Sequence, residues 1–441
     1  MTVVGIGADG WAGLTAHSRQ ALCAAEAVVG GARQLALLPP QVTAERITWP
    51  TPLRAAVPGL VAELAGRRVA VLASGDPSFH GIARTLTEVL GPGRLHVLPH
   101  PSSLSYACAR LGWPLEAVEV VNLVGRPVER LAAALYEGRR VLVLAAGPAT
   151  PGEVAAVLCG RGFGATRVRV LEQLGGAAEH VHEETTAARL AAGAGGPFDP
   201  LNVVALECRR DTGERGAPDR PDSADARPLP RLGLTAGLPD TAYEHDGQLT
   251  KRHVRAATLA ALAPAPGELL WDVGGGSGSI GVEWMRAHPA CRAVAVERDA
   301  ARAGRIVRNA RHLGVPDLRV VTGAAPGALA GLPTPDAVFV GGGLTAPGLL
   351  EACWAALPAG GRLVANTVTL ESEALLAQWY RRHGGELVRL AVASAVPVGG
   401  FTGWRQAMPV TQWTVVKPHP GPAGPPPVAP SPSAPTSQEP Q

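Results

Sequence analysis

The stretch that most constrains the fold of this chain covers residues 269–297 and reads LLWDVGGGSGSIGVEWMRAHPACRAVAVE. A short apolar run ends in a glycine-rich turn, a segment with helical character follows, and a second apolar run closes on Glu297. This order predicts a βαβ unit whose first turn lies against a nucleotide. Gly274, Gly276 and Gly278 lack the Cβ atoms that would hold the backbone away from a ligand, and they permit positive φ.

The turn alone does not identify the nucleotide. Gly276, Gly278 and Gly281 also spell GxGxxG, the dinucleotide fingerprint, and an acidic residue follows farther on. Taken by itself, the stretch therefore fits either S-adenosylmethionine (SAM) or NAD. In both cases Glu297 would accept hydrogen bonds from a ribose diol, and Asp272 ends the first predicted strand.

Length and composition place the chain among multidomain cytoplasmic proteins. At 441 residues with 46% hydrophobic content, two or three domains are expected. The net charge of +3 is too balanced to indicate nucleic acid or a membrane surface as partner. Six cysteines occur without a CxxC pair, which argues against a zinc site or a disulfide framework. Neither a signal peptide nor a membrane-length apolar run is recognisable, so we expect a cytoplasmic protein.

The first part of the chain alternates between strand-like and helix-like segments. Residues 2–6 predict a buried strand, residues 15–27 and 128–137 predict helices, and the alternation continues to a last strand at 201–207. This indicates an α/β domain with a mostly parallel sheet over residues 1–208. Residues 209–238 are charged and rich in Pro, Gly and Asp, and they predict a linker.

A second domain is predicted over residues 239–417, and the Pro/Ser-rich residues 418–441 are expected to be disordered. Seven strands are predicted in this domain, and the last two, at 386–393 and 412–417, have no helix between them. We therefore expect a seven-stranded sheet that ends in an antiparallel pair. That Rossmann-like variant is typical of SAM-dependent methyltransferases, whereas a dinucleotide domain more often has six parallel strands.

Three segments of the first domain resemble the tetrapyrrole methylase family. They are Gly5-Ile6-Gly7, SGDPSFHGI at 74–82 and HPSSLSYACARLGWPLEAVEVVNLVGR at 100–126. The second domain resembles a different class of methyltransferase through GLPDTAYEHDGQLTKRHVR, WDVGGGSG, TGAAPGAL and PDAVFVGGG. Fused in this order, the two domains resemble the decarboxylating precorrin-6Y methyltransferases of cobalamin biosynthesis.

The resemblance implies a bifunctional, SAM-dependent C-methyltransferase that acts on a carboxylate-rich tetrapyrrole, precorrin-6B. The first domain would methylate carbon 5 of the macrocycle. The second would methylate carbon 15 and remove the carboxyl group of the ring C acetate, which gives precorrin-8X. A homo-oligomer is expected.

In the first domain, the resemblance implies SAM contacts that are made largely by backbone atoms. These contacts are Gly7, Ala8, Asp76, Phe79, Ser103 and Leu104. Asp76 also fits an N-cap for a helix that begins after Pro77, and the two roles are compatible. Members of the family often carry histidine where Val124 stands, so the activity of this domain could differ from theirs.

In the second domain, the resemblance places the methionine part of SAM against Thr250, the ribose on Glu297 and the adenine near Ala325. The glycine turn would cradle the cofactor through Gly274, Gly275, Gly276, Ser277 and Gly278. Asp272 is expected to orient this turn rather than to take part in chemistry. The loop with Gly342 and Gly343 should face the substrate, although it lacks the serine that the family carries there.

Cationic residues follow Thr250 and are candidates for binding substrate carboxylates. Arg252 and Arg255 are predicted as substrate contacts, and a solvated helix face is the alternative. The sequence does not identify a catalytic residue; Lys251 and His253 are candidates, the latter as a proton donor. Methyl transfer from a sulfonium requires positioning in a dry cleft more than acid–base catalysis.

Two other interpretations remain open, and one further histidine cluster is set aside. His180 and His182 beside Glu183 could suggest a metal site, but we expect an exposed strand and no metal. An NAD-dependent oxidoreductase is favoured only by GxGxxG. A third hypothesis makes the first domain a substrate-docking module beside a single active methyltransferase, and Val124 is its support.

Overall fold

The computed structural model describes residues 1–211 and 232–419, and the chain divides into two compact units, Met1–Leu229 and Pro230–Gln441. Each unit has its own sheets and its own buried clusters of apolar side chains. Among the described residues, no helix is both long and apolar enough to cross a membrane.

The first unit opens with a five-stranded parallel sheet. Its strands are β1 (Thr2–Ile6), β2 (Ala27–Gly30), β3 (Glu45–Thr48), β4 (Val69–Ser74) and β5 (His96–Leu98), in the spatial order β3-β2-β4-β1-β5. The helices that accompany it are α1 (Gly10–Gly13), α2 (Ala16–Cys23), α3 (Ala32–Ala36), α4 (Leu53–Glu63), α5 (Ala83–Leu90) and α6 (Ser103–Leu111). Because all five strands are parallel, the loops that follow them meet at one edge of the sheet.

A second sheet completes this unit and is mostly antiparallel. It contains β6 (Val118–Asn122), β7 (Arg140–Leu144), β8 (Arg167–Glu172), β9 (His180–Val181), β10 (Thr185–Thr186) and β11 (Asn202–Glu207), with 3-10 turns at Leu115–Ala117 and Val128–Ala134 and helices α7 (Thr150–Cys159) and α8 (Ala187–Ala191). The order is β10-β8-β11-β7-β6, and β9 pairs with β8. The prediction of a mostly parallel sheet is wrong here, because β11 inserts antiparallel between β7 and β8. Hydrophobic periodicity does not encode strand order.

Two predicted helices of the first unit are shorter than expected. The helix predicted at 15–27 ends at Cys23, and Val29 belongs to β2, whose four residues are all buried. A fully buried strand has no alternation of apolar and polar residues, so its pattern cannot be told from a buried helix. The helix predicted near residues 128–137 is a 3-10 segment that ends at Ala134.

The second unit confirms the predicted seven-stranded α/β architecture. Its main strands are β12 (Leu269–Val273), β13 (Arg292–Glu297), β14 (Arg319–Thr322), β15 (Ala337–Val340), β16 (Arg362–Thr367), β17 (Glu386–Leu390) and, after an inserted hairpin of β18 (Ala393–Val398) and β19 (Phe401–Gln406), β20 (Val410–Val416). The order is β14-β13-β12-β15-β16-β20-β17; β20 runs antiparallel to both of its neighbours, β16 and β17, and the other neighbouring strands are parallel. The sequence analysis does not predict this hairpin, because its residues fall at the end of the strand predicted at 386–393 and in the loop expected after it.

Helices cover both faces of this sheet, and one packed segment precedes it. The helices are α9 (Arg252–Leu262), α10 (Ser279–Ala287), α11 (Ala300–His312), α12 (Leu349–Ala356) and α13 (Leu370–His383), with 3-10 turns at Asp240–Ala242 and Gly327–Leu329. Leu238 is buried in the core, although it falls in the predicted linker. The backbone amides of Gly237 and Leu238 donate to the Glu283 carboxylate at 2.6 and 3.0 Å, so the packed structure begins before residue 239.

Candidate functional site

The first unit contains a cavity of about 480 Å³ where the loops after β1, β4 and β5 converge. The six residues predicted to contact a cofactor in this unit all line it: Gly7, Ala8, Asp76, Phe79, Ser103 and Leu104. They lie in three separate segments of the sequence. The parallel register that pairs Ile6 with Ser74 brings the first two loops together.

Close backbone approach explains the glycines in these loops. A Cβ atom on Gly5 would overlap the carbonyl oxygen of Gly75, and Gly75 itself has φ of +58°. The third loop is fixed by Ser102, the N-cap of α6, whose Oγ accepts a hydrogen bond from the Ser105 amide at 3.2 Å. Backbone atoms of these three loops therefore approach one another closely at this cavity.

Asp76 does not cap a helix directly after Pro77. Its Oδ1 accepts a hydrogen bond from the Ser78 amide at 2.8 Å, which closes a local turn, and α5 begins only at Ala83. The N-cap interpretation of Asp76 is thus wrong, because the intervening residues form turns rather than a helix.

Several lining residues of this cavity were not singled out from the sequence. They include Arg33, His80, Tyr106 and Asn202. Burial, followed by the nearby charge of Arg126, lowers the pKa of the His80 imidazole. Val124, the position that departs from the family, also lines the cavity and has 59% of its surface exposed.

A buried contact between a histidine and a carboxylate lies behind the first loop, and the sequence analysis does not predict it. His100 Nε2 is 3.0 Å from Asp9 Oδ2, and the His100 side chain is 5% exposed. His100 Nδ1 lies 3.1 Å from the Pro101 carbonyl oxygen. With an acceptor near each ring nitrogen, the pair connects the loop after β1 to the loop after β5.

The second unit contains a larger cavity of about 930 Å³ between the glycine turn, the segment before α9 and the loops after β15 and β16. Most of the residues predicted for this site line it: Thr250, Lys251, Arg252, His253, Gly274, Gly275, Gly276, Ser277, Gly342 and Gly343. Gly278, Glu297, Ala325 and Arg255 do not.

The glycines of the turn serve different contacts. A Cβ on Gly274 would lie 2.8 Å from the amide nitrogen of Gly342, so two loops of the cavity wall touch through backbone alone. Gly278, with φ of +76°, precedes α10, and a Cβ there would lie 2.6 Å from Ile306 of α11. Gly278 therefore permits helix packing and does not face the cavity.

Two buried carboxylates hold the turn in place. Glu297 Oε2 accepts from the Gly276 amide at 2.8 Å, and Oε1 accepts from the Asp299 amide at 3.0 Å. Asp272 Oδ2 accepts from the Gly281 amide at 3.0 Å, in keeping with the orienting role predicted for it. Burial raises the pKa of the Asp272 carboxyl to about 7, and the nearby Glu297 charge adds to the rise.

Sequence comparisons give both units a relation to known methyltransferases. Residues 1–191 match the profile of the tetrapyrrole (corrin/porphyrin) methylases, and residues 241–417 match a precorrin methyltransferase domain. The precorrin-6Y C(5,15)-methyltransferase [decarboxylating] of Sinorhizobium sp is 48% identical over 417 residues, which cover 95% of this chain and 96% of that protein. The chain belongs to the family of decarboxylating precorrin-6Y C(5,15)-methyltransferases.

Two further proteins are similar to this chain. The protein of the same name from Mycobacterium tuberculosis (strain CDC 1551 / Oshkosh) is 48% identical over 94% of this chain and 99% of its own length. The crystal structure of the C-terminal domain of precorrin-6Y C5,15-methyltransferase from Rhodobacter capsulatus has 49% sequence identity and a TM-score of 0.41, covering 42% of this chain and all of that domain. The chain is a C-methyltransferase, and the oxidoreductase interpretation finds no support.

Arg255 does not have the role predicted for it from the sequence. The side chain is fully buried, and its Nε donates to Glu283 Oε1 at 2.5 Å. It also pairs with Asp240 at 3.2 Å and donates to the carbonyl oxygens of Leu238 and Thr250. The prediction of a substrate contact is wrong, because every direction of the guanidinium is occupied by this chain.

Ala325 and the two histidines His180 and His182 lie outside both cavity linings. Ala325 packs in a half-buried position against the core on one face of the sheet, away from the cavity lining. His180 lies in the short exposed strand β9, and His182 Nε2 is 3.1 Å from Glu172 Oε1. Within residues 1–211 and 232–419, no group of three His, Cys, Asp or Glu side chains is arranged to hold a metal ion.

Proposed function

We propose that this chain methylates carbons 5 and 15 of precorrin-6B and decarboxylates the ring C acetate, giving precorrin-8X, with SAM as methyl donor at both positions. The first unit acts at carbon 5, and the second acts at carbon 15 and on the acetate. The observation that carries this proposal is the presence of two separate cavities, one in each unit, each walled by glycine-rich loops at the end of parallel strands.

Both cavities have features that suit SAM. In the second, Ser277 is 2% exposed and lines the cavity, and its Oγ has no hydrogen-bond partner among the described residues. A buried hydroxyl without a partner is costly, so a polar ligand group would satisfy it. The glycine turn with Gly276 leaves room for such a ligand. SAM supplies a methyl group already activated by its sulfonium.

The chain's own contribution is positioning and exclusion of water. Methyl transfer is an in-line displacement, so holding the acceptor carbon and the methyl group in near-attack geometry accounts for most of the rate. At the second cavity, Lys251 and Arg252 begin α9 and are exposed at the lining, where they can bind substrate carboxylates. His253 beside them is the candidate for moving a proton during decarboxylation.

Mass spectrometry of the product formed from metal-free precorrin-6B, SAM and the full-length protein tests the proposal. Two methyl groups gained and one carbon dioxide lost are expected. One methyl group with decarboxylation would assign the first unit the role of a docking module, the alternative that the Val124 position favours. An unchanged substrate, with SAM still bound, would overturn the proposed substrate.

We also propose that the chain forms a homo-oligomer. The support is the hairpin of β18 and β19, where Phe401 and Trp404 are 85% and 79% exposed. Light scattering after size exclusion, on the wild type and on the double variant Phe401→Ser/Trp404→Ser, tests this. A monomeric wild type would contradict it.

A further inference from the structure

Asn202 is a polar residue of the first cavity to which the sequence analysis assigns no role. It is the first residue of β11, lines the cavity and is only 6% exposed. Its neighbours along the strand are apolar core residues. An amide that is buried at the wall of a ligand cavity requires hydrogen-bond partners for both its nitrogen and its oxygen.

The orientation of the Asn202 amide is fixed by two carbonyl groups. Its Nδ2 donates to the Asp199 carbonyl at 2.7 Å and to the Gly147 carbonyl at 3.3 Å. The reversed orientation would set the amide oxygen against two other oxygens, so it is disfavoured. Oδ1 therefore faces away from them, and it has no hydrogen-bond partner among the described residues.

The groups that hold the Asn202 amide are themselves held. Asp199 Oδ1 accepts from Gln173 Nε2 at 2.9 Å and from the Leu201 amide at 2.7 Å. On the other side, Thr150 Oγ1 accepts from the amides of Ala146 and Gly147 at 3.1 and 3.2 Å. The side-chain amide of this cavity-lining residue is thus held in one orientation, so it loses little conformational freedom when a ligand binds.

We propose that Oδ1 of Asn202 accepts a hydrogen bond from an N–H group of SAM bound in the first cavity. This inference rests on the proposed function, since it takes the occupant to be the methyl donor. A carbonyl oxygen can accept a hydrogen bond from the adenine amine or the α-ammonium of SAM. It would repel the carboxylates of the tetrapyrrole substrate. The pyrrolic N–H groups of the macrocycle are the other source of such a donor.

Calorimetric titration of the full-length protein with S-adenosylhomocysteine tests the proposal without any macrocycle. Wild-type protein is expected to bind two equivalents. Asn202→Ala should weaken one of the two sites by roughly tenfold, the cost of one buried hydrogen bond, and leave the other unchanged. Gln20→Ala is the matched control, because it removes an exposed side-chain amide of α2 in the same unit, away from the cavity lining; it should retain both affinities.

Two ligand analogues identify the donor and need no variant to fold. One carries N6,N6-dimethyladenine and the other lacks the α-amino group. Wild-type protein should bind one of them about tenfold more weakly at the first site, and Asn202→Ala should show no further loss with that analogue. If both analogues bind the first site as well as S-adenosylhomocysteine does, the proposal is overturned.

Unchanged affinities in Asn202→Ala, together with a raised KM for the macrocycle, would also overturn it and assign the acceptor to a pyrrolic N–H. Failure of the proposed function has a different signature. In that case no macrocycle is methylated, while the two binding sites for S-adenosylhomocysteine, and the effect of Asn202→Ala on one of them, remain measurable.

Discussion

The two cavities resemble each other in their walls and differ in their size and charge. Both are walled by loops at the ends of parallel strands, and among the described lining residues each has one buried polar atom without a partner, Asn202 Oδ1 in the first and Ser277 Oγ in the second. The second has about twice the volume, 930 against 480 Å³, and carries Lys251, Arg252 and His253 in one run. The common part suits methyl transfer. The added charge suits the carboxylate chemistry proposed for the second unit alone.

The second cavity also depends on a buried arginine, Arg255, whereas none of the described arginines of the first unit is buried. Arg255 holds the segment around Leu238, Asp240 and Thr250 that forms one cavity wall. Arg255→Met should lower the free energy of unfolding of the second unit by about 3–5 kcal/mol, because Glu283 is left as an unpaired buried charge. Hydrogen exchange of peptides from each unit, followed by mass spectrometry, should show the loss in the second unit only.

Arg308→Met is the control for that substitution. Arg308 pairs with Glu244 at 2.6 Å in an exposed ion pair of the same unit, so its loss should cost less than about 1 kcal/mol. Equal effects of the two variants would mean that Arg255 is not the anchor of the cavity wall.

The buried carboxyl of Asp272 should make the stability of the second unit depend on pH. Its folded pKa of about 7 lies above its ordinary value of 3.8, so folding takes up a proton between these limits. The stabilisation from this proton uptake is at most about 4 kcal/mol. It is fully present below about pH 4 and is lost as the pH rises to 7. Asp272→Asn should therefore match the wild type in acid and exceed its stability at pH 8.

Urea unfolding at pH 4.5, 6 and 8, read by hydrogen exchange in each unit, measures this difference. The first unit serves as the internal control, since its stability should not change between the two proteins at any pH. A constant difference between the proteins across this range would show that the Asp272 carboxyl titrates alike in the folded and unfolded chains.

The contrast in cavity charge is tested by removing one cation from each cavity. Lys251→Ala should raise the KM of the decarboxylating step by about tenfold, the cost of one charge-assisted hydrogen bond. The increase in KM should be smaller at high salt. Arg33→Ala, in the first cavity, should leave that step unchanged. Arg311→Ala lowers the net charge equally at an exposed position of α11, and it should alter neither. If Arg311→Ala matched Lys251→Ala, the effect would be long-range electrostatics.

The elements around the glycine turns could be predicted because local sequence dictates them. The run from Leu269 to Glu297 contains two apolar segments, 269–273 and 293–296, on either side of a helical pattern, and both strands occur within one residue of these segments. The six residues predicted to contact a cofactor in the first unit were selected by resemblance to a family, and they line one cavity. Their convergence follows physically from parallel strands, whose ends share an edge.

The roles of polar side chains could not be predicted in the same way. Arg255 and Arg252 are three residues apart at the start of one helix, yet one is fully buried and the other exposed. The difference arises from Glu283, 28 positions farther along the chain, which no local pattern connects to Arg255. Asn202 and the pair of Asp9 and His100 were missed for the same reason: the partners that define each of them are distant in sequence.

The smallest expected effect concerns Val124, where histidine is common in the family. Because Val124 is 59% exposed at the cavity lining, Val124→His should be accommodated without overpacking. Methyl transfer depends on positioning, so the rate of carbon-5 methylation should change by less than about threefold. A general acid or base typically contributes 10²–10⁴-fold, so a rise of that order would show that proton transfer limits the first unit. A rise of that order would also favour the hypothesis that the wild-type first unit serves mainly to dock the substrate. Quantifying singly and doubly methylated products over time separates the two results, with the carbon-15 rate as the internal reference.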